Sequence, residues 1–310
     1  MKRFKAGIIF LFFCITCNNA NSQSFMRSQY FDLRRDIEKT DTLDSAKLRI
    51  DYSLLYVRDT LNPDKISKDR KVLLIGDKLT DFYSYYIRQS DSAYTASDPR
   101  PLKRPVDVQG EGYEIFNNYP EGKRTVFDAI TDLKIYKYKE DIKNPQWTIS
   151  GEIAMVLGYP CIKATGRTGD RDYVVWFTPS IPVSSGPWKL GGLPGLILRA
   201  YDTKRHYVFE CIGIEQLKQK QPIIVPAMWN KATGASKEFY MKDQKRYHND
   251  PVNFLLSIGY SIVLEDENQK RVEIVETPNK TYANRGITLL TGIYIKDRYK
   301  KVPYNPIELE

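Results

Sequence analysis

Apolar residues recur along this chain in short runs broken by Gly, Pro and Asp-Lys pairs, the grammar of strands joined by tight turns. The densest series predicts strands at Thr125–Ile130, Leu133–Tyr138, Trp147–Val156, Tyr159–Thr165, Tyr173–Thr178, Gly195–Tyr201 and His206–Ile214. Upstream, Ala46–Asp59 and Lys71–Ile75 read as two more, separated by a turn at Asn62-Pro63-Asp64. After Thr80 the period changes. Phe82, Tyr85, Tyr86 and Gln89 fall three to four apart, which predicts a helix capped by Thr80 or Asp81. A second helix is expected over Ser236–Tyr247, with Ser236 as cap, Glu238 in its first turn and Phe239 and Met241 on its inner side. Pro251 should interrupt it before a short helix at Val252–Ile258, and further strands are expected at Ser261–Leu264, Val272–Val275 and Ile287–Tyr294. The pattern predicts a β-rich α+β fold: a curved antiparallel meander, half-barrel or sandwich-like, with a few peripheral helices. No internal repeat is present.

One stretch departs from this rhythm. Between Pro179 and Gly195 lie Pro179, Pro182, Pro187 and Pro194 together with Gly186, Gly191, Gly192 and Gly195. Such a loop alternates fixed and permissive backbone, and a connection this long is usually functional or disordered. Trp188, Leu190, Leu193, Leu196 and Ile197 give it enough apolar surface to pack. The preceding run, Val174–Phe177, is apolar on both parities and should be covered on both faces, with the Pro/Gly loop as one cover.

The motifs carry a resemblance. Gly158-Tyr-Pro-Cys161-Ile-Lys-Ala164-Thr165, Tyr173-Val-Val-Trp176-Phe177-Thr178, Ile181-Pro182, Gly186-Pro187-Trp188-Lys189 and Gly192-Leu193-Pro194-Gly195-Leu196-Ile197 resemble the GLPGLI family, also called the Porph_ging domain. The resemblance runs from about Tyr52 into the last third of the chain. It implies an exported cell-envelope protein of unassigned role and supplies no catalytic residues.

The N-terminus points the same way. Lys2, Arg3 and Lys5 precede an apolar run from Ala6 to Thr16, and Ala20-Asn-Ser22 offers small residues for a signal peptidase, so residues 1–22 read as a signal peptide. The rival reading is a lipid anchor on Cys17, although Cys14 stands where a lipobox has Leu. Residues 23–45 read as an exposed arm and 46–310 as a single domain, partly helical at about 235–258. The expected location is the periplasm or outer membrane, or outside the cell, and no later segment is long and apolar enough to span a bilayer.

The net charge of +9 falls to +6 once the signal is removed, spread along the chain as on a solvated surface, which does not suggest nucleic acid. Pro99–Pro105, with Arg100, Lys103 and Arg104, reads as a basic loop. Cys161 and Cys211 remain after processing; in an oxidising compartment they read as a disulfide, with two buried thiols as the alternative.

Reaction chemistry is thinly represented. His206 and His248 are the only histidines, one at an expected hairpin tip and the other at a helix end, and Ser184-Ser185 has neither close by in sequence. Metal-ligand spacings and phosphate loops are absent, so neither metal nor cofactor is expected. Asp170 with Asp172, and Glu265-Asp266-Glu267, are acid groups that would matter only inside a cleft. Trp147, Trp176, Trp188 and Trp229 suit a binding platform or a packed core, and the core is preferred for Trp176 and Trp188. Three functions follow: a non-enzymatic envelope module that binds a partner protein or lipid, a carrier or sensor for a hydrophobic ligand in a half-barrel, and a hydrolase acting on glycan or peptide.

Overall fold

The computed structural model describes residues 41–89, 112–131, 134–258, 261–265, 271–275, 287–288 and 305–307. The expected signal, the basic Pro-rich loop and most of the tail lie outside them.

The longest strands form the spine. β1 (Thr42–Val57) and β11 (Tyr207–Ile224) pair antiparallel along nearly their whole length. On one side of this ladder the chain winds outward through β2 (Ile66–Ile75), β3 (Thr80–Ser84), β4 (Glu114–Asn117), β5 (Lys123–Thr131) and β6 (Lys134–Asp141). On the other side lie β10 (Leu196–Asp202), β9 (Arg171–Thr178), β8 (Tyr159–Thr168) and β7 (Thr148–Val156). With β12 (Thr233–Gly234), the one strand of this sheet to pair in parallel, laid on β6, the result is one open, curved sheet of 12 strands. Three short strands, β13 (Ser261–Glu265), β14 (Arg271–Val275) and β15 (Ile287–Thr288), form a separate small sheet.

Connectivity requires the curvature. β6 and β7 are ten positions apart in the sheet order, about 48 Å if the sheet were flat. Only residues 142–147 join them, a segment that spans at most about 25 Å. The sheet therefore curls until its two flanks approach each other. Alternation along β1 sends Ile50, Tyr52, Leu54 and Tyr56 to the concave side, where they meet Leu73, Phe82, Phe177 and Phe209 in one buried cluster. A second cluster, with Val72, Leu74, Phe116, Phe127 and Ile223, lies on the outer side of the β2–β6 half, under a 3₁₀ turn at Ala227–Trp229. Trp229 stacks on Phe127 there at 5.5 Å between ring centroids.

Several expectations are corrected. The helix expected from Thr80 begins only at residue 85; Thr80–Ser84 is a strand. Its three-to-four spacing of aromatics is overridden because this segment is paired on both sides, with β2 and with β4. β4, too short to announce itself by alternation, was not expected. β1 starts at Thr42, inside the stretch read as an exposed arm, and β11 runs ten residues past Ile214. α1 (Lys237–Asn249) is capped as expected, Ser236 Oγ accepting from Phe239 N, and Met241 is buried as expected, but Phe239 is half-exposed, meeting β6 only edge-on at Tyr136, while Tyr240 and Asp243 are buried. Pro251 opens α2 (Pro251–Ser257), where Asp250 accepts from Asn253 N and proline's missing N–H costs nothing.

Candidate functional site

The Pro/Gly loop enters the concave side of the sheet and fills it. Trp188, Leu190, Leu193, Leu196 and Ile197 are all buried, and the Trp188 ring stacks on Tyr173 of β9 at 6.0 Å. Three contacts pin the loop's shape: Leu196 N donates to Ile181 O, Ile197 N to Ser185 O, and Gly192 N to Ser184 Oγ. Two more tie it to the walls, as Tyr52 donates to Ile197 O at 2.7 Å and Trp147 Nε1 to Gly191 O at 2.7 Å. Glycine is required where the walls come close: a Cβ on Gly195 would sit 2.2 Å from Thr178 O, and one on Gly186 would sit 2.8 Å from Ile197 Cβ. Pro182, Gly192 and Pro194 form the solvent side of the loop and Pro187 its buried side. Trp176, on the opposite face of β9, is half-buried.

Lys189 makes the longest reach. It is the single charged residue between Asp172 and Arg199, and it crosses the interior to β6, where its Nζ lies 2.7 Å from Glu140. Arg124 of β5 approaches the same carboxylate at 3.1 Å and also donates to Lys189 O. Lys237 of α1 meets the other oxygen at 3.2 Å. Three cations thus surround one acid. Burial would raise the Glu140 pKa, but Lys189, Lys237 and Arg124 outweigh it and bring it down to about 2.

The outer face carries the converse arrangement. Asp81 of β3 and Glu114 of β4 are buried side by side and share one cation, Arg88, which bonds to both. Trp229 Nε1 donates to Glu114 at 2.7 Å. Burial and the neighbouring Glu114 push Asp81 well above the usual carboxylate range, and burial raises Glu114 as well despite Arg88 and Trp229. Both shifts favour the protonated form of the pair, the stronger one at Asp81. A third buried charge, Lys71, pairs with Asp69 at 3.0 Å and lies 4.1 Å from the centre of the Tyr113 ring.

The other candidates are dispersed. His206 sits in the β10–β11 turn, and His248 lies in the last turn of α1. Asp170 and Asp172 are exposed and paired with Arg167. Of Glu265-Asp266-Glu267, positions 266 and 267 lie outside the described residues. Cys161 and Cys211 are free, so the disulfide reading is corrected: β9 and β10 separate their strands, and a bridge needs Cα atoms within about 7 Å. Burial pushes their thiols up to about 11 and about 12, which leaves them protonated and poorly nucleophilic at neutral pH. Arg171, at the start of β9, binds Asp202 at 3.1 Å and holds the segment 305–307 through the carbonyls of Pro306 and Ile307.

Sequence reasoning passed over Glu140, Arg124, Lys237, Asp81, Arg88 and Glu114. The available signals were Lys189, a solitary charge in an apolar loop, and Asp81, a carboxylate amid aromatics. Neither names its partners.

No curated protein matches the chain. Two solved structures are similar over part of their length. The structure of PNGF-II in P21 space group is 18% identical and covers 65% of this chain and 33% of its own, with a TM-score of 0.45. The structure of PNGF-II in C2 space group is 17% identical and covers 64% of this chain and 32% of its own, also at 0.45. The chain thus spans about a third of their length. Residues 166–199, which hold β9, the buried loop and the start of β10, match the family described as "Protein of unknown function (Porph_ging)".

Proposed function

We propose that this protein is a non-enzymatic binding module of the cell envelope, exported by its N-terminal signal, whose work is done by its surface. The observation that carries the reading is the distribution of exposed apolar side chains. Of the nine large hydrophobic residues most exposed among the described residues, four (Ile149, Ile153, Met155 and Leu157) lie on β7 or the turn that follows it. Such a concentration at a strand edge marks an interaction site. By contrast, the buried charges of the family segment and its neighbours are engaged with one another: Lys189 with Glu140, and Arg171 with Asp202. The concave face, which a ligand carrier would keep open, is occupied by the loop's own Trp188, Leu190 and Leu193. A hydrolase would need a reactive group in contact with solvent, whereas Asp81 and Glu114 are enclosed.

The test is to pass a detergent-solubilised envelope fraction over the purified protein and over its Ile153→Lys variant. A partner retained by the first and lost by the second, with unchanged thermal melting, is the expected result. Equal retention by both would remove the edge from the proposal. Cell fractionation with N-terminal sequencing tests the export step, for which a mature chain beginning at Gln23 is expected.

A further inference from the structure

β7 ends the sheet, and among the described residues nothing pairs with its outer edge. Its ladder with β8 is irregular between Ile149 and Ile153 and regular from Ile153 to Val156, closing on the pair Val156–Tyr159. The two residues between them, Leu157 and Gly158, have φ of 47° and 79°, the two positive values of a tight hairpin turn. That turn makes Val156 and Tyr159 a hydrogen-bonded pair, so the backbone groups of Val156 and Ala154 point toward β8. By alternation, those of Ile153 and Met155 point outward, with Leu157 next in line. The same three residues carry the exposed side chains, at 70%, 62% and 50% of full exposure. Unpaired backbone and unburied apolar surface thus coincide.

We propose that this edge pairs antiparallel with the same edge of a second copy, on a two-fold axis through Met155. The proposal rests on the binding-module reading and names its partner. In this register Met155 faces its own counterpart, and Ile153 faces Leu157 of the second copy, so that each apolar side chain meets another. Charge favours the same choice. Glu152 is the single ionisable residue of β7 and is already held by Lys163 at 2.7 Å. With the axis at Met155, Glu152 falls opposite Gly158 of the other copy. An axis at Glu152 would set carboxylate against carboxylate, which is destabilising. No Lys or Pro within the strand guards the edge against pairing. The regular part of β7 is self-complementary over its whole length.

The experiment combines sedimentation with cross-linking on the purified protein. Sedimentation velocity over a concentration series should show a reversible monomer–dimer equilibrium, and Ile153→Lys should weaken it at least about tenfold, equivalent to about 1.4 kcal/mol. Met155→Cys should give a disulfide-linked dimer under mild oxidation, because residues facing each other in a hydrogen-bonded antiparallel pair sit about 5.5 Å apart, within disulfide range. Cys161 and Cys211 are buried and do not compete. A protein that stays monomeric at millimolar concentration, with no cross-link through Met155→Cys, overturns the second copy as occupant. If that same monomer still binds an extended apolar peptide through an Ile153-dependent edge, the module reading survives and the copy proposal alone fails. If neither binds, both fail.

Discussion

Glu140, largely covered, and Asp81, fully buried, are carboxylates of the same sheet that respond to their surroundings in opposite ways. Around Glu140 three cations, Arg124, Lys189 and Lys237, meet one acid. Around Asp81 one cation, Arg88, is divided between two acids. Burial pushes both carboxyl groups upward; the local count of charges decides the outcome. An excess of cations brings Glu140 to about 2, while an excess of acids leaves Asp81 well above its ordinary range. The two clusters also do different work. The first fastens the family loop to β5, β6 and α1, and the second holds the 3₁₀ turn through Trp229.

The strongest way to break this contrast is Glu140→Gln, which leaves Lys189 and Arg124 buried without a counter-charge. Removing one partner from a buried ion cluster costs about 3–5 kcal/mol, and urea unfolding at pH 7 should show a loss of that size. A loss below 1 kcal/mol would mean that the cations find water instead.

Next in size is the acid response of the intact protein. Because the folded Glu140 pKa is depressed from 4.5 to about 2, its contribution is fully present above the unfolded value. It is lost as pH falls from about 4 to about 2, and amounts to about 3 kcal/mol. Unfolding free energies measured along that interval should fall in the wild type and fall less in Glu140→Gln.

Asp81 should behave in reverse. Its folded pKa lies above the unfolded one, so the native state binds the extra proton and stability declines as pH rises above about 4. Asp81→Asn keeps the shape without the titration and should flatten that decline, leaving the variant the more stable of the two at alkaline pH. Trp229 fluorescence, sensitive to the bond with Glu114, reports whether the turn stays docked. A variant with the wild-type slope would show that the pair holds no shared proton.

The smallest effect is expected at Asp170, whose pairing with Arg167 is more than half exposed on both sides. Asp170→Asn should change stability by no more than about 0.5 kcal/mol. A larger change in thermal melting would put this exposed pair on a par with the buried ones.

The legible parts of this protein were the local ones. Alternation located β8, β9 and β10 to within a few residues, and the Pro/Gly composition of 179–195 marked a packed loop. Ser236 announced the start of α1. The errors share a cause. Phe82, Tyr85 and Tyr86 carry a helical spacing, but β2 and β4 claim the backbone from Thr80 to Ser84, and two ladders of hydrogen bonds outweigh a local preference. Phe239 looked inward from its period alone, while the buried face of α1 was set by where Tyr136 and Tyr138 stand on β6.

Local order, then, came from the sequence: which segments extend, where turns fall, and where a stiff apolar loop must pack. Those properties depend on side-chain alternation and on the backbone limits of Pro and Gly, which act over a few residues. The tertiary structure alone decided that Lys189 meets Glu140, that Asp81 lies beside Glu114, and that β7 is left at the edge. Partners 33 and 49 residues apart are brought together by strand order and the curl of the sheet, and no periodicity within the chain encodes that order.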